Sequence, residues 1–466
     1  MVTTTPDVLL RDVEVEGAPT DVLVADGRIS AIGDDLRPSP MRDVVSVDGA
    51  GGALLPGLHD HHVHLLAIAA RRHGVDVDAC DSPAAFDRAV AGAEVDGAGW
   101  VRVGGHDERR HGPVDGRRLD ALRPGVAVRV QHRSGLAWTL STSGLERIGI
   151  DDAPTGAVER HGDGAPTGTI LRADDWLADR LGPVPPPLDR LGSELAALGL
   201  TGVTDATVAL GAARLDALLA ARASGGLPQR LVVLGTEDEE LDGLAVAGPA
   251  KVLADEVLGL DVDALAATIA DRHAAGRAVA IHAVTRAENV AAATALAMAG
   301  PLAGDRIEHG SVLPFELDDL LARSQVTVVV QPALVHERGD HHLDVVDADD
   351  LPILHRIRSL RTAGIPVVIG SDAPVTSIDP WRAIRAAVDR RTRSGAVVGP
   401  DEAITAAESL AMYLADPLAP SGPIRRVARG VPADLVLLDA PLTDVLADPD
   451  RSRVRHTWVD GRLVHP

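Results

Sequence analysis

The chain has 466 residues, with 45 Lys+Arg against 68 Asp+Glu and a formal net charge of −23 at pH 7. Its 45% hydrophobic content excludes wholesale disorder, and the acidic balance argues against nucleic-acid or membrane partners, which need a basic patch. No apolar run reaches the ~18 residues of a membrane span, and the N-terminus shows no secretory signal. The single cysteine, Cys80, cannot form an internal disulfide. These limits predict a cytoplasmic globular enzyme that uses a metal or cofactor.

Both ends of the chain have the texture of short β-strands. Period-2 alternation in DVLLRDVEVEG and DVLVADGRISAIG, with a turn at Asp26-Gly27, predicts hairpins near the N-terminus. ADLVLLDAPL and HTWVDGRLV repeat the pattern near the C-terminus. We therefore predict one small composite β-sandwich domain built from residues 1–55 and 425–466.

The middle of the chain alternates apolar runs with Ala-rich stretches of helical spacing, which predicts βαβ units and a parallel sheet. With a first strand near 54–64 the count reaches eight, which predicts an α/β protein with a (β/α)8 TIM barrel over 56–424. The first two strands are too far apart for one helix, so 76–190 is predicted to be an inserted or capping segment. The later runs are GVTDATV (202–208), QRLVVLG (229–235), AKVLA (250–254), AVAIHAV (278–284), RIEHGSV (306–312), VTVVVQPA (326–333) and PVVIGSDA (366–373).

The strongest local signal is PGLHDHHVHL at 56–65. His62 and His64 are two residues apart on a predicted strand, so both side chains point to the same face. Two imidazoles that converge in this way can hold a divalent metal. By the same alternation His59 and His61 point the other way, and we interpret them as non-ligands.

Four further candidates fall at or just past the predicted strand ends: Lys251, His282, His309 and Asp372. A barrel presents the carboxyl ends of its strands on one rim, where barrel active sites form. Any one of these histidines alone is more simply explained as a hydrogen-bonded core residue. All of them on one rim indicate a metal centre.

Lys251 is the only lysine, against 44 arginines. Arginine stays protonated and cannot act as a nucleophile, whereas a lysine amine can lose its proton when buried near a metal. The neutral amine can then add CO2 to form a carbamate, which offers one anionic oxygen to each of two metals. We therefore interpret Lys251 as a bridging ligand.

These residues together resemble the amidohydrolase superfamily of metal-dependent hydrolases. PGLHDHHVHL is similar to its strand-one signature, and GPAKVLADE, AIHAVTRAEN, RIEHGSV and GSDAPV resemble the segments of strands four, five, six and eight. The long insertion resembles the amidohydrolase-3 branch, which includes N-substituted formamide deformylases. Two sites depart from that branch: Gly-His-Asp at 105–107 replaces Gly-Trp-Asp, and Ser-Gly-Leu at 134–136 replaces Ser-Gly-His.

The resemblance implies a hydrolase that cleaves a non-peptide carbon–nitrogen amide-type bond of a small molecule through a metal-bound hydroxide. It implies a binuclear centre of two zinc ions, with manganese, cobalt, nickel or iron as alternatives. The implied metal ligands are His62, His64, Lys251 as a CO2-derived carbamate, His282, His309 and Asp372. Asp372 is also the implied catalytic acid–base group.

Other residues are candidates for substrate binding: His106, Asp107 and His132 in the insertion, and His336 and Arg338 after strand seven. Arg338 suits a substrate carboxylate because guanidinium can pair with it bidentately. For each of these five residues a solvated loop position is the simpler interpretation. A small-molecule substrate is the expected partner, and a homodimer is compatible with the sequence.

Three alternatives remain open at this stage. A mononuclear deaminase of an aminated heterocycle keeps the histidines and aspartate but needs no strand-four lysine. Many such deaminases carry a Glu three residues after the strand-five histidine, where this chain has Thr285. The same metal pair could hydrolyse a lactone or ester. A non-catalytic family member would be expected to lack ligands, and none is missing here.

Overall fold

The computed structural model describes residues 6–39, 43–135, 137–181, 187–208, 210–236, 241–257 and 259–466. Its strands are β1 (Asp7–Val15), β2 (Ala18–Ala25), β3 (Arg28–Gly33), β4 (Val44–Asp48), β5 (Leu54–Pro56), β6 (Leu58–Val63), β7 (Val75–Asp76), β8 (Trp100–His106), β9 (Ala127–His132), β10 (Ala137–Leu140), β11 (Val158–Arg160), β12 (Pro166–Leu171), β13 (Leu200–Asp205), β14 (Arg230–Val233), β15 (Val246–Ala247), β16 (Ala250–Leu253), β17 (Val279–Ala283), β18 (Arg306–His309), β19 (Thr327–Val330), β20 (Val367–Ile369), β21 (Leu435–Leu438), β22 (Val454–Val459) and β23 (Arg462–His465).

The helices alternate with these strands through the middle of the chain. They are α1 (Leu65–Arg72), α2 (Pro83–Ala91), α3 (Glu108–His111), α4 (Gly116–Leu122), α5 (Thr142–Ile148), α6 (Asp174–Leu181), α7 (Asp189–Ala197), α8 (Ala212–Ser224), α9 (Val262–Ala274), α10 (Arg286–Ala299), α11 (Asp318–Ser324), α12 (Ala333–Val345), α13 (Arg358–Thr362), α14 (Pro380–Asp389), α15 (Ala406–Tyr413) and α16 (Leu442–Ala447). None of those in the described ranges is both long and apolar enough to cross a membrane.

The chain divides into two compact units. The first comprises the chain up to His64 together with Asp189–Gly211 and Leu218–Pro466, and the second comprises Leu65–Leu188 and Ala212–Ala217. This division follows chain contacts and does not test the three-part organisation expected from the sequence, which stays a prediction.

Parallel strands form the centre of the first unit. β15-β14-β13-β6 make one sheet and β16-β17-β18-β19-β20 make another, and helices separate successive strands from β16 to β20. β6, β13, β18 and β19 are buried along their whole length, as expected for parallel strands covered on both faces. Val63 at the end of β6 also makes a parallel bridge to Ala373, just after β20. The α/β class expected from the sequence is confirmed.

The expected first strand near 54–64 is instead two strands in different sheets. β5 pairs antiparallel with β21, whereas β6 pairs parallel with β13. Gly57 separates them, and a Cβ there would overlap the side chain of Thr201. A glycine at this point therefore lets the chain pass from one sheet to the other.

The two ends of the chain contribute to one hydrophobic core within the first unit. The sheets are β3-β2-β1-β4 and β23-β22-β21-β5. Leu10 and Ile29 from the N-terminal strands pack in the same cluster as Leu435, Leu437 and Trp458. The period-2 apolar positions of both ends therefore share a core, and a separate composite domain stays a prediction.

The second unit contains a six-stranded mixed sheet in the order β11-β12-β10-β9-β8-β7. Alternation along β8 places Val101 and Val103 in one apolar cluster and Trp100 in another. β8 and β9 run parallel, with His106 opposite His132 at their carboxyl ends.

Candidate metal centre

His62 and His64 begin the site, because alternation along β6 and just past its end places both on one face. Their ring centroids are 5.3 Å apart. Asp372, which follows β20, places Oδ1 3.5 Å from His62 Nε2 and 3.2 Å from His64 Nε2. Ligand atoms of these three residues all lie within 4.8 Å of one another, a spacing that a single metal ion can bridge.

Two more of the predicted residues join this group. The ring of His309, at the end of β18, is 4.8 Å from the ring of His62 and 4.6 Å from that of His282 on β17. His309 Nδ1 also lies 3.9 Å from Asp372 Oδ2. The cluster is continuous, and its residues lie on or just past four strands. The first of them, His62, and the last, Asp372, are more than 300 positions apart in sequence.

Lys251 contributes a buried amine whose Nζ has no hydrogen-bond partner among the described residues. It is the second residue of β16 and pairs with Ala280, two residues before His282 on β17, so it lies deeper than the strand end expected from the sequence. Burial lowers the pKa of this ammonium group. An unpartnered buried amine is costly unless it is neutralised or bound, which fits modification or metal ligation.

The imidazoles are held in the neutral form that metal ligation requires. Burial, followed by the positive charge of Lys251, lowers the pKa of His62 to about 4. Burial and the neighbouring His309 lower the pKa of His282 to about 3, and burial lowers that of His309 to about 4. At neutral pH these three rings therefore carry a free lone pair.

Asp372, in contrast, must be charged to bind a metal ion, and its surroundings favour the charged form. Burial alone would raise its pKa, but the hydrogen bond with His64 and the charges of His309 and His62 outweigh burial and hold the pKa below its usual value. Asp372 is therefore an anion at neutral pH, available as a ligand and as a proton acceptor.

Sequence reasoning missed Glu308, a buried carboxylate directly beside the ligand set. It contacts His62 Nδ1 and forms a buried ion pair with Arg306, whose Nη2 lies 3.1 Å from Glu308 Oε2. A carboxylate on Nδ1 fixes the ring orientation and leaves Nε2 facing Asp372. Two residues of opposite charge at i and i+2 in the predicted strand RIEH were the signal that could have revealed it.

Polar groups also orient the rings of His309 and His64. Gln331 Oε1 lies 3.1 Å from His309 Nδ1, and Thr207 Oγ1 lies 3.3 Å from His64 Nδ1. Asp60 accepts hydrogen bonds from the backbone N–H groups of His62 (3.1 Å) and Ser371 (2.9 Å), which ties β6 to the segment after β20. Apart from the contact between Asp60 and His62, which are two residues apart, these contacts join residues that local spacing cannot connect.

The backbone is also specialised at this site. His309 has φ of 76° and Asp372 has φ of 54°, in the left-handed region that non-glycine residues rarely adopt. Gly370 approaches so closely that a Cβ there would overlap His62 and lie 2.6 Å from its backbone nitrogen. Strained backbone positions of this kind concentrate at functional sites.

The candidates for substrate binding are less concentrated. On α12 of the first unit, Arg338 Nη2 donates to the carbonyl of Val375 at 2.9 Å, and His336 Nδ1 lies 3.2 Å from the carbonyl of Arg391. Arg338 is thus tied to the segment that follows Asp372. Its role and that of His336 in substrate binding stay predictions.

In the second unit, His106 and His132 end β8 and β9, and Asp107 caps α3 and pairs with Arg133. These roles account for their packing without substrate, and their part in substrate binding also stays a prediction. Leu136, at the second departure from the resembled branch, lies outside the described residues.

A model of the amidohydrolase family matches residues 46–465, almost the whole chain. The chain belongs to the amidohydrolase family. Membership confirms the resemblance drawn from the strand motifs and identifies this chain as an amidohydrolase, a hydrolase that acts on carbon–nitrogen bonds.

Two relatives of this amidohydrolase align over nearly their full length. It is 27% identical to an N-substituted formamide deformylase of Arthrobacter pascens, covering 95% of this chain and 94% of that protein. It is 25% identical to the putative amidohydrolase YtcJ of Bacillus subtilis (strain 168), covering 97% of each. A crystal structure of an uncharacterized metal-dependent hydrolase from Pyrococcus horikoshii OT3 has the same fold, with TM-score 0.75, 18% identity and coverage of 93% and 97%.

Proposed function

We propose that this amidohydrolase cleaves a non-peptide amide-type bond of a small molecule at a binuclear metal centre. His62, His64 and Asp372 would hold one metal ion, and His282 and His309 the other. Lys251, as a carbamate, would bridge them. Zinc is the metal we propose first, because imidazole and carboxylate ligands suit it, with manganese, cobalt, nickel and iron as chemical alternatives.

The observation that carries the proposal is the unpartnered, buried Nζ of Lys251 beside this histidine cluster. As an ammonium group it would repel a cation bound at this cluster, because its charge acts on the rings of His62, His282 and His309. Addition of CO2 to the neutral amine forms an N–C bond and releases one proton. The product is an anion with two oxygens, which removes the repulsion and supplies two ligand atoms.

When bound, such a metal pair supplies Lewis acidity toward the scissile carbonyl and lowers the pKa of water. The chain supplies the proton transfers. Asp372, an anion with Oδ1 facing His62 and His64, would accept a proton from the attacking water and return it to the leaving nitrogen. The neutral imidazoles would keep the site free of competing positive charge.

The deaminase alternative finds less support in the structure. Thr285, at the position where many deaminases carry an acid, is the N-cap of α10 and forms a capping box with Glu288. Its hydroxyl accepts from the Glu288 N–H at 3.2 Å, so this position is committed to the start of a helix. Hydrolysis of a lactone or ester would use the same groups, and a substrate screen should include both.

N-substituted formamides are the first substrates to test, because the Arthrobacter pascens relative is a deformylase of such compounds. The identity of 27% and the replacement of Gly-Trp-Asp by Gly-His-Asp at 105–107 argue for a different acyl or amine group. The screen should therefore vary the acyl chain and the amine separately.

The metal-to-protein ratio tests the centre directly. Wild-type protein grown with bicarbonate should hold about two metal ions per chain. Lys251→Ala should lose most of that metal, and so should Lys251→Arg, which keeps charge and bulk but cannot form a carbamate.

A ratio near one that both Lys251 variants leave unchanged would contradict the bridge. It would favour the mononuclear deaminase, and a screen of aminated heterocycles would then come first. Circular dichroism of each variant would show that the fold persists.

A further inference from the structure

The second unit contains a histidine group that the proposed reaction does not use. His106 and His132 stand opposite each other at the carboxyl ends of the parallel strands β8 and β9. Glu108, the first residue of α3, completes a set whose ligand atoms all lie within 4.8 Å of one another. Adjacent strand ends and the following helix turn thus place three donors in a space the size of one ion.

The spacing is close to that of a tetrahedral zinc site. Zinc ligands at ~2.0–2.1 Å lie about 3.3 Å from one another, so donors at or below 4.8 Å need only small side-chain rotations to meet a common ion. His132 Nε2 already lies 2.9 Å from Glu108 Oε2, and the rings of His106 and His132 are 6.0 Å apart.

Hydrogen bonds to one nitrogen of each ring orient the two histidines. His106 Nε2 lies 3.0 Å from the carbonyl of Gly112, which can only accept, so the proton resides on Nε2 and Nδ1 keeps its lone pair. His132 Nδ1 accepts a hydrogen bond from the Ser134 N–H at 3.1 Å and lies 2.7 Å from the Ser134 hydroxyl, so the ring proton lies on Nε2, which donates to Glu108 Oε2. A metal at Nε2 would displace this proton to Nδ1, where Ser134 Oγ can accept it in place of the hydrogen bond from the Ser134 N–H.

Neighbouring polar groups are engaged elsewhere, which limits the site to three protein ligands. His111 Nε2 donates to the carbonyl of Cys80 at 3.1 Å, and its Nδ1 accepts from the amide of Asp107 at 3.0 Å. The Asp107 carboxylate pairs with Arg133. The Glu108 side chain is 58% exposed, so a fourth coordination position would be open to water.

We propose that His106, Glu108 and His132 form a second metal site, which binds zinc or a similar borderline divalent cation independently of the proposed catalytic centre. Two imidazoles and one carboxylate favour zinc over magnesium, which prefers an all-oxygen octahedral shell. The partial exposure of the site predicts reversible binding.

The test is a zinc titration of the full chain after its tighter sites have been filled, measured by equilibrium dialysis. Wild-type protein should bind about one more zinc ion than His132→Gln. Glu108→Gln keeps the size of the side chain but removes its charge, and should weaken this last binding step at least ~10-fold. Magnesium should not substitute for zinc in that step.

His73→Gln is the matched control, because His73 is an exposed histidine of the same unit outside the cluster. It should bind as much zinc as wild type. His282→Asn should remove zinc from the proposed catalytic centre only, and its loss should add to that of His132→Gln. Equal zinc binding by wild type, Glu108→Gln and His132→Gln would overturn the proposal, whatever happens at the catalytic centre.

Discussion

The molecule carries two histidine groups at parallel strand ends, and they differ in how their rings are supported. In the first unit His62 is 1% exposed and contacts the buried ion pair of Glu308 and Arg306. In the second unit Glu108 is mostly exposed, and the rings are oriented by a carbonyl and by Ser134. Similar positions at strand ends can therefore give sites that we expect to differ strongly in metal affinity.

The difference follows from what burial costs. In the first unit, burial lowers the pKa of three histidines and an anionic network balances the buried Lys251 and Arg306. Without metal, the buried charges and polar groups of such a site destabilise the folded state, so the site should bind its metal ions tightly. In the second unit water can replace the metal at small cost, so binding there should follow the concentration of free ion.

The largest effect is expected from Asp372→Asn. Asparagine tolerates the left-handed backbone at this position, so the fold should persist. Turnover should fall by about 10³-fold, because the amide cannot accept the proton of water. Steady-state kinetics on an amide substrate measure the effect, with the exposed Asp349→Asn as control. Wild-type turnover in Asp372→Asn would remove its catalytic role.

A smaller but double effect is expected from Glu308→Gln. His62 loses a charged partner, so metal affinity should fall ~10- to 100-fold. Arg306 is left buried without its anion, so the free energy of unfolding should fall by about 3 kcal/mol. Metal titration and urea unfolding measure the two effects. Glu316→Gln, at an exposed position, should change neither quantity. An unchanged metal affinity in Glu308→Gln would contradict the role of the buried Glu308 carboxylate in metal binding by His62.

The smallest effect is expected from removing the hydroxyl that contacts one histidine ring in each of the two histidine groups. Thr207 supports His64 at 3.3 Å and Ser134 supports His132 at 2.7 Å. Thr207→Val and Ser134→Ala each remove a neutral hydrogen bond of about 1 kcal/mol, which is a several-fold loss of metal affinity at its own site. Metal titration of each variant checks this. If either variant lost as much metal affinity as Glu308→Gln, a neutral hydroxyl would support a histidine as strongly as a buried carboxylate, which would contradict the comparison.

Much of the candidate site could be predicted from local sequence. Alternation placed His62 and His64 on one face, and recurring strand motifs placed His282, His309 and Asp372 near strand ends. The single lysine among 45 basic residues singled out Lys251. Each of these inferences needs only the period of a strand and the chemistry of one side chain.

The supporting residues could not be predicted in this way. Glu308 contacts His62 across 246 positions, and Gln331 contacts His309 from the next strand. Periodicity tells which face a residue occupies but not which partner meets it across the sheet. For the same reason the sequence joined β5 and β6 into one strand, since only tertiary pairing shows that they belong to different sheets.

The left-handed backbone at His309 and Asp372 has a practical consequence for protein engineering. Such a conformation costs an ordinary L-residue about 1–2 kcal/mol, and glycine would relieve it. Glycine at either position would also remove a proposed metal ligand and the stabilisation that a bound metal gives the folded state, so only metal-free protein would gain from the relieved strain. Selection on metal-free protein would then yield stable variants without catalytic activity. A thermostabilisation experiment should therefore keep residues 309 and 372 unchanged.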